Sequence, residues 1–164
     1  MNNQPVLGII GGSGLYNFSA ISDIEKFEFE TPFGTPSSPI ITGIVAGKKV
    51  AFLARHGIGH FIPPSRVNYR ANIYALKALG VTEIVSVSAC GSLREDFVPG
   101  DIVIPNQLFD FTHKRARTFF EEDLAVHVSA ADPFCTSLSK SLSNAVLEAG
   151  GTVHFGGTYI TIEG

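Results

Sequence analysis

Charge is scarce in this sequence: Asp, Glu, Lys and Arg together make up 16% of its 164 residues, and the formal net charge is only -3. With 45% hydrophobic residues against so few solvated side chains, the chain is not expected to stay disordered. No overall basic field exists, which argues against nucleic acid as a partner and requires any anionic ligand to be held by a local cluster. Cysteine is limited to Cys90 and Cys135. They lie far apart, without a secretion signal, so reduced thiols are expected rather than a disulfide framework. Long apolar runs are missing as well. The opening stretch has no basic segment, and its short apolar run is broken by Gly11 and Gly12, so it reads as neither signal peptide nor membrane span. A cytoplasmic location is the expectation. Internal repeats, low-complexity segments and flexible linkers are also wanting.

What the sequence does have is turn-forming residues, 17 Gly and 9 Pro, which imply many short connections between buried elements. The length suits one compact α/β domain over residues 1–164. Val6 to Ile10 is a β-branched run that delivers the glycine-rich turn Gly11-Gly12-Ser13-Gly14. Lys26 to Glu30 alternates as a half-buried strand, and Thr31 to Pro36 is a turn that Pro and Gly keep from being helical. Ile40 to Ala46 and Lys49 to Ala54 are apolar runs joined around Gly47-Lys48, a hairpin signature, and the second ends at Arg55-His56-Gly57.

Ser65 is a candidate N-cap for a helix in which Val67, Ala71, Tyr74, Ala75 and Ala78 share one face and Tyr69, Ile73 and Leu76 a second, until Gly80 stops it. Such a helix is expected to be largely enclosed, between a sheet and another layer or subunit. Ile84 to Ser88 is the next buried strand, followed by Ala89-Cys90-Gly91-Ser92. Pro99-Gly100-Asp101 is a turn before Ile102 to Ile104, Asp132-Pro133 opens a second helix ended by Gly150-Gly151, and Thr158 to Ile162 is a β-branched strand. Alternating strand and helix signals with a hairpin among them predict a mixed, twisted β-sheet flanked by helices.

Several segments could carry chemistry. A G-x-G-x-x-G pattern beginning at Gly12 fails at Asn17, and Gly43 to Lys49 lacks the spacing of a phosphate-binding P-loop. The first turn therefore offers backbone N–H groups and the Ser13 hydroxyl to an anion, or is simply a tight turn. Arg55-His56 at a strand end supplies a planar guanidinium fork and an imidazole suited to phosphate oxygens, or is an exposed pair on a hairpin. His56 and His60 do not make a metal site, because Gly57 and Gly59 disfavour a helix and no Cys, Asp or Glu falls at ligand spacing nearby. For Cys90, which lacks an identifiable helper residue, a buried structural thiol is expected rather than a nucleophile. Asp110 to Arg117 is locally basic and reads as a solvated loop, with an active-site flap as the alternative.

Taken in order, Gly11 to Leu15 (GGSGL), Thr31 to Ser37 (TPFGTPS), Arg55 to Gly57 (RHG), Asn68 to Ile73 (NYRANI), Ser88 to Glu95 (SACGSLRE), Pro99 to Asp101 (PGD) and Thr118 to Phe120 (TFF) resemble the 5′-methylthioadenosine phosphorylase family along nearly the whole chain. The resemblance implies a nucleoside phosphorylase-like α/β fold. It also implies phosphorolysis of S-methyl-5′-thioadenosine to adenine and 5-methylthioribose 1-phosphate, with inorganic phosphate as co-substrate and no metal or organic cofactor.

By the same resemblance, Ser13, Arg55, His56, Ser88 and the Ala89 backbone match the phosphate site, and Ala89, Cys90 and Gly91 the stretch along the nucleoside. His127 matches a histidine lent to a neighbouring subunit of a homotrimer. Ser88-Ala89-Cys90-Gly91-Ser92 favours this branch over purine nucleoside and methylthioinosine phosphorylases, whose strand end reads Asn-Ala-Ala-Gly-Gly or Asn-Ala-Val-Gly-Gly. The family's Pro-x-Phe segment, its ribose-binding methionine stretch and its purine-facing acidic residues have no counterpart before Gly164. No catalytic acid is therefore assigned in these residues, and they are expected to be the phosphate-binding part of an incomplete enzyme. A 6-oxopurine or methylthioinosine phosphorylase and a non-catalytic phosphate- or nucleoside-binding fragment are the competing readings.

Overall fold

The protein is described here by a computed structural model covering residues 6–12, 21–121 and 124–163. Its contacts gather into two compact units, Met1–Ala89 and Cys90–Gly164.

The first unit is a five-stranded sheet built from β1 (Leu7–Gly11), β2 (Ser22–Phe27), β3 (Ile40–Val45), β4 (Lys48–Ala54) and β5 (Glu83–Ser86), in the order β2-β3-β4-β1-β5. β1 runs parallel to β4 and β5, while β2 with β3 and β3 with β4 are antiparallel. The sheet is mixed, as the sequence predicts. Ala46 and Gly47, with φ of 48° and 76°, form the two-residue turn of the β3–β4 hairpin, whose left-handed backbone matches the twist of the strands it joins. β2 begins and ends earlier than the alternation of Lys26 to Glu30 suggests. Its exposed Ser22–Glu25 stretch pairs irregularly with β3, so edge pairing rather than burial defines that strand.

One helix, α1 (Tyr69–Ala78), packs on this sheet. Its N-cap is Asn68, not Ser65: the Asn68 side chain accepts from the Ala71 N–H at 3.1 Å, and Pro64–Arg66 forms a separate 3₁₀ turn. Ala75 and Leu76 close over Ile10, Ile40, Ala51 and Leu53. Ile73 and Tyr74 stay exposed, so among the described residues the helix buries one face rather than two. Asn72, 2% exposed, fastens α1 to the turn before β3, accepting from the Ser37 N–H at 2.7 Å and donating to Ser37 Oγ at 3.0 Å.

The second unit contains two parallel strand pairs, β6 (Ile102–Ile104) with β8 (Val153–Phe155) and β7 (Gln107–Phe111) with β9 (Thr158–Ile162), and the helix α2 (Thr136–Glu148). Asp132 lies in a bend and Pro133 in the irregular stretch ahead of α2, rather than in its first turn. The helix half-buries Leu138, Leu142 and Val146 and packs on β6 and β8. Asp110 and Phe111 belong to β7, so the irregular part of the expected 110–117 loop begins at Thr112. Thr112, fully buried, donates its Oγ1–H to Asp110 Oδ1 at 2.7 Å, and Glu163 Oε1 accepts from the His113 and Lys114 N–H groups at 2.6 and 3.0 Å.

Candidate functional site

The parallel register of β1 and β4 sets Gly11 beside Ala54, so both strands finish at one edge of the sheet. The next residues continue the pairing: the Arg55 N–H donates to Gly11 O at 3.0 Å, and the Val87 N–H, beyond the end of β5, donates to Ile10 O at 2.9 Å. Gly12, Arg55, His56 and Ser88 therefore meet at one corner where three strands end, the place where open α/β sheets hold ligands.

The Arg55 side chain binds this corner together. Its Nη1 donates to Ser88 Oγ at 2.8 Å and more loosely to Val87 O at 3.4 Å. Its Nη2 sits near Gly12, where an added Cβ would lie 3.8 Å away. Its Nε donates to His56 Nε2 at 3.2 Å. Because a guanidinium only donates, Ser88 Oγ acts as acceptor here, and its own hydroxyl proton remains available to a further partner.

His56 is only 8% exposed. Its Nδ1 lies 2.8 Å from Ile62 O, and the Ile62 N–H donates back to His56 O at 3.0 Å. The loop between them turns left-handed at Gly57, Gly59 and His60, with φ of 75°, 93° and 59°. The His60 ring rests 4.5 Å from that of His56. A carbonyl only accepts and a guanidinium only donates, so the two contacts place the His56 proton on Nδ1 and a lone pair on Nε2.

An oxyanion at this corner would meet a guanidinium, a hydroxyl and an imidazole edge within one small surface. On the opposite side of the sheet from α1, an apolar hollow of about 170 Å³ is lined by Ile9, Pro39, Ile41, Phe52 and Ala54. The hydroxyl in that lining, Ser38 Oγ, is engaged with Pro39 O and the Ala54 N–H, and no charged side chain lines the hollow, so the charged corner is the candidate site.

The sequence-derived residues are placed unevenly. Arg55, His56 and Ser88 come together, with Ala89 following Ser88 on an exposed segment. Ser13 lies outside the described residues. Cys90 and Gly91 begin the second unit, and Cys90 is exposed rather than buried. His127 sits in an exposed irregular stretch of the second unit. Ile62, which acts through its backbone carbonyl, is the residue that sequence reasoning misses. The Gly57-x-Gly59 spacing after Arg55-His56 was the available signal of a loop folding back. Among the described residues no three His, Cys, Asp or Glu gather as metal ligands, and the His56 and His60 rings lie tilted at 45° to one another.

Away from this corner, carboxylates are held below their ordinary range by hydrogen bonds. His154 Nε2, donating at 2.7 Å, does this to Asp101, with help from the Val98 N–H. The Thr112 hydroxyl and N–H do it to Asp110, and the His113 and Lys114 N–H groups to Glu163.

A family model described as "Phosphorylase superfamily" matches residues 6–164. The S-methyl-5′-thioadenosine phosphorylase of Geobacter sulfurreducens is 54% identical over 98% of this chain, and that of Saccharolobus solfataricus is 51% identical over 99%. The chain spans 57% and 60% of those two relatives. A crystal structure of a methylthioadenosine phosphorylase from an antarctic soil metagenomic library superposes with a TM-score of 0.95 at 50% identity, covering 99% of this chain and 57% of that one. The methylthioadenosine phosphorylase from Schistosoma mansoni in complex with adenine superposes at 0.92 with 38% identity, over 98% and 66% of the two chains. Matched in family, sequence and fold over almost every residue it has, the chain belongs to the phosphorylase superfamily.

Proposed function

We propose that the protein carrying this chain cleaves S-methyl-5′-thioadenosine with inorganic phosphate, and that residues 1–164 supply the phosphate side of the site within a larger α/β domain. The observation that carries this reading is the Arg55 fork, spanning Ser88 Oγ and His56 Nε2 at three converging strand ends. The names of the relatives supply the nucleoside.

In this reading Arg55 gives phosphate a charge-assisted contact, Ser88 donates its spare hydroxyl proton, and the Gly12–Ser13 turn adds backbone donors. A phosphate held there beneath the anomeric carbon stabilises the positive charge that grows on the sugar and then attacks it. The new bond is phosphate oxygen to anomeric carbon. The glycosidic electron pair leaves with the purine, which takes a proton from a group outside those described. Ala89, Cys90 and Gly91 lie along the nucleoside, small enough for close approach, and His127 serves the site of a neighbouring subunit in a homotrimer. The protein works in the cytoplasm, in purine and methionine salvage, with phosphate as its co-substrate.

The test is release of adenine from S-methyl-5′-thioadenosine by the protein carrying this chain, measured with and without phosphate and beside inosine. Phosphate-dependent release of adenine, with S-methyl-5′-thioadenosine favoured over inosine, is expected. Preference for inosine would move the protein to the 6-oxopurine class, and absence of turnover on either nucleoside would reduce it to a binding role.

A further inference from the structure

The geometry around His56 bears on a question that the phosphate reading leaves open: which protonation state of an oxyanion the corner accepts. Two contacts fix the ring. Nδ1, 2.8 Å from Ile62 O, must carry a proton, and Nε2, which takes the Arg55 Nε–H at 3.2 Å, must present a lone pair. Ring rotation is restricted, because His56 is buried, its backbone is tied back by the Ile62 N–H, and the His60 ring lies 4.5 Å away. The Arg55–His56 contact is at the long end of hydrogen-bond range, so an incoming ligand proton can replace it at little cost.

A lone pair facing a bare anion is repulsive. An anion that enters the corner and meets Nε2 must therefore bring a proton to it or find one there already. Resting on the phosphate-site reading, we infer that anion binding at this corner is linked to one proton at His56 Nε2, which hydrogen phosphate supplies from its own P–OH and sulfate must draw from solvent. With hydrogen phosphate the proton lies between P–O and Nε2, and the unprotonated oxygens remain for Arg55 and Ser88. With sulfate the ring becomes an imidazolium, its new N–H donates to the anion, and solvent loses one proton per site. The two dianions are close in size and equal in charge, so the difference between them is this proton. Among the described residues, the titratable and charged groups against His56 are Arg55 and His60, whose ring is exposed.

Calorimetric titration of the full-length protein with phosphate and with sulfate tests this, at mildly alkaline pH in buffers of different ionisation enthalpy. Hydrogen phosphate is expected to bind with no net proton uptake and sulfate with one proton per site. Sulfate affinity should then fall about tenfold per pH unit while phosphate affinity stays level. In His56→Asn the sulfate uptake should vanish, since an amide can turn a donor to either anion. In His60→Asn it should persist. Sulfate binding without proton uptake, or equal uptake for both anions, would overturn the linkage while leaving a phosphate site in place. Failure of both anions to bind would instead overturn the phosphate reading, and the linkage with it.

Discussion

The two units of this chain make the same kind of parallel strand pairing but bury it very differently. In the first, Ile40, Ala51, Ala75 and Leu76 are fully enclosed, and the strand ends they support carry Arg55, His56 and Ser88. In the second, α2 has no buried residue, and Phe109, Phe111, Ile160 and Ile162 on the β7–β9 pair are exposed. Order in the second unit leans on polar fastenings instead, such as Asp101 with His154 and Glu163 with the 113–114 backbone. A site that must hold a guanidinium within tenths of an ångström of its partners belongs on the unit with its own core.

The largest expected effect follows from that contrast. Leu76→Ala should cost about 2–5 kcal/mol by opening a cavity under the sheet, whereas Leu147→Ala on α2, 59% exposed, should stay within about 0.5 kcal/mol. Chemical denaturation of both variants checks this, and equal costs would show that the two units are packed alike.

A smaller effect concerns Asp101. Its folded carboxyl titrates below the ordinary value because His154 and the Val98 N–H hold the ionised form. The resulting stability is present above the unfolded value of about pH 4 and is lost as pH falls through the depressed folded value. Asp101→Asn should therefore lower the urea midpoint at neutral pH, and the gap to the parent should close in acid. A gap that is constant with pH would contradict this.

The smallest effect is local. Glu163→Gln weakens the acceptor for the His113 and Lys114 N–H groups, so tryptic cleavage after Lys114 should quicken with little change in the global midpoint. Unchanged cleavage would show that the 112–115 segment is held by Thr112 and Asp110 without Glu163.

Features whose cause is local in sequence were legible. The β3–β4 hairpin announces itself through Gly47, and the strand ahead of Arg55 through its apolar run. The mixed sheet and the meeting of Arg55, His56 and Ser88 were anticipated, the latter through family resemblance more than through the residues themselves. Features decided by distant partners were not. Asn68 displaced Ser65 as the cap because its Nδ2 also reaches Phe33 O at 2.6 Å while its Oδ1 takes the Ala71 N–H. β7 and β8 were missed because neither Gln107–Phe111 nor the short Val153–Phe155 stands out until its parallel partner lies beside it. The tautomer of His56 depends on a backbone carbonyl six residues away, which no side-chain pattern encodes.

If Arg55 organises the proposed phosphate site, its loss in Arg55→Ala should show in the phosphate dependence of turnover. Loss of about 1.5–3 kcal/mol of charge-assisted interaction should raise the phosphate KM roughly ten- to a hundredfold, with a smaller change in the nucleoside KM. A variant with the parent's phosphate KM and turnover would remove Arg55 from the phosphate site.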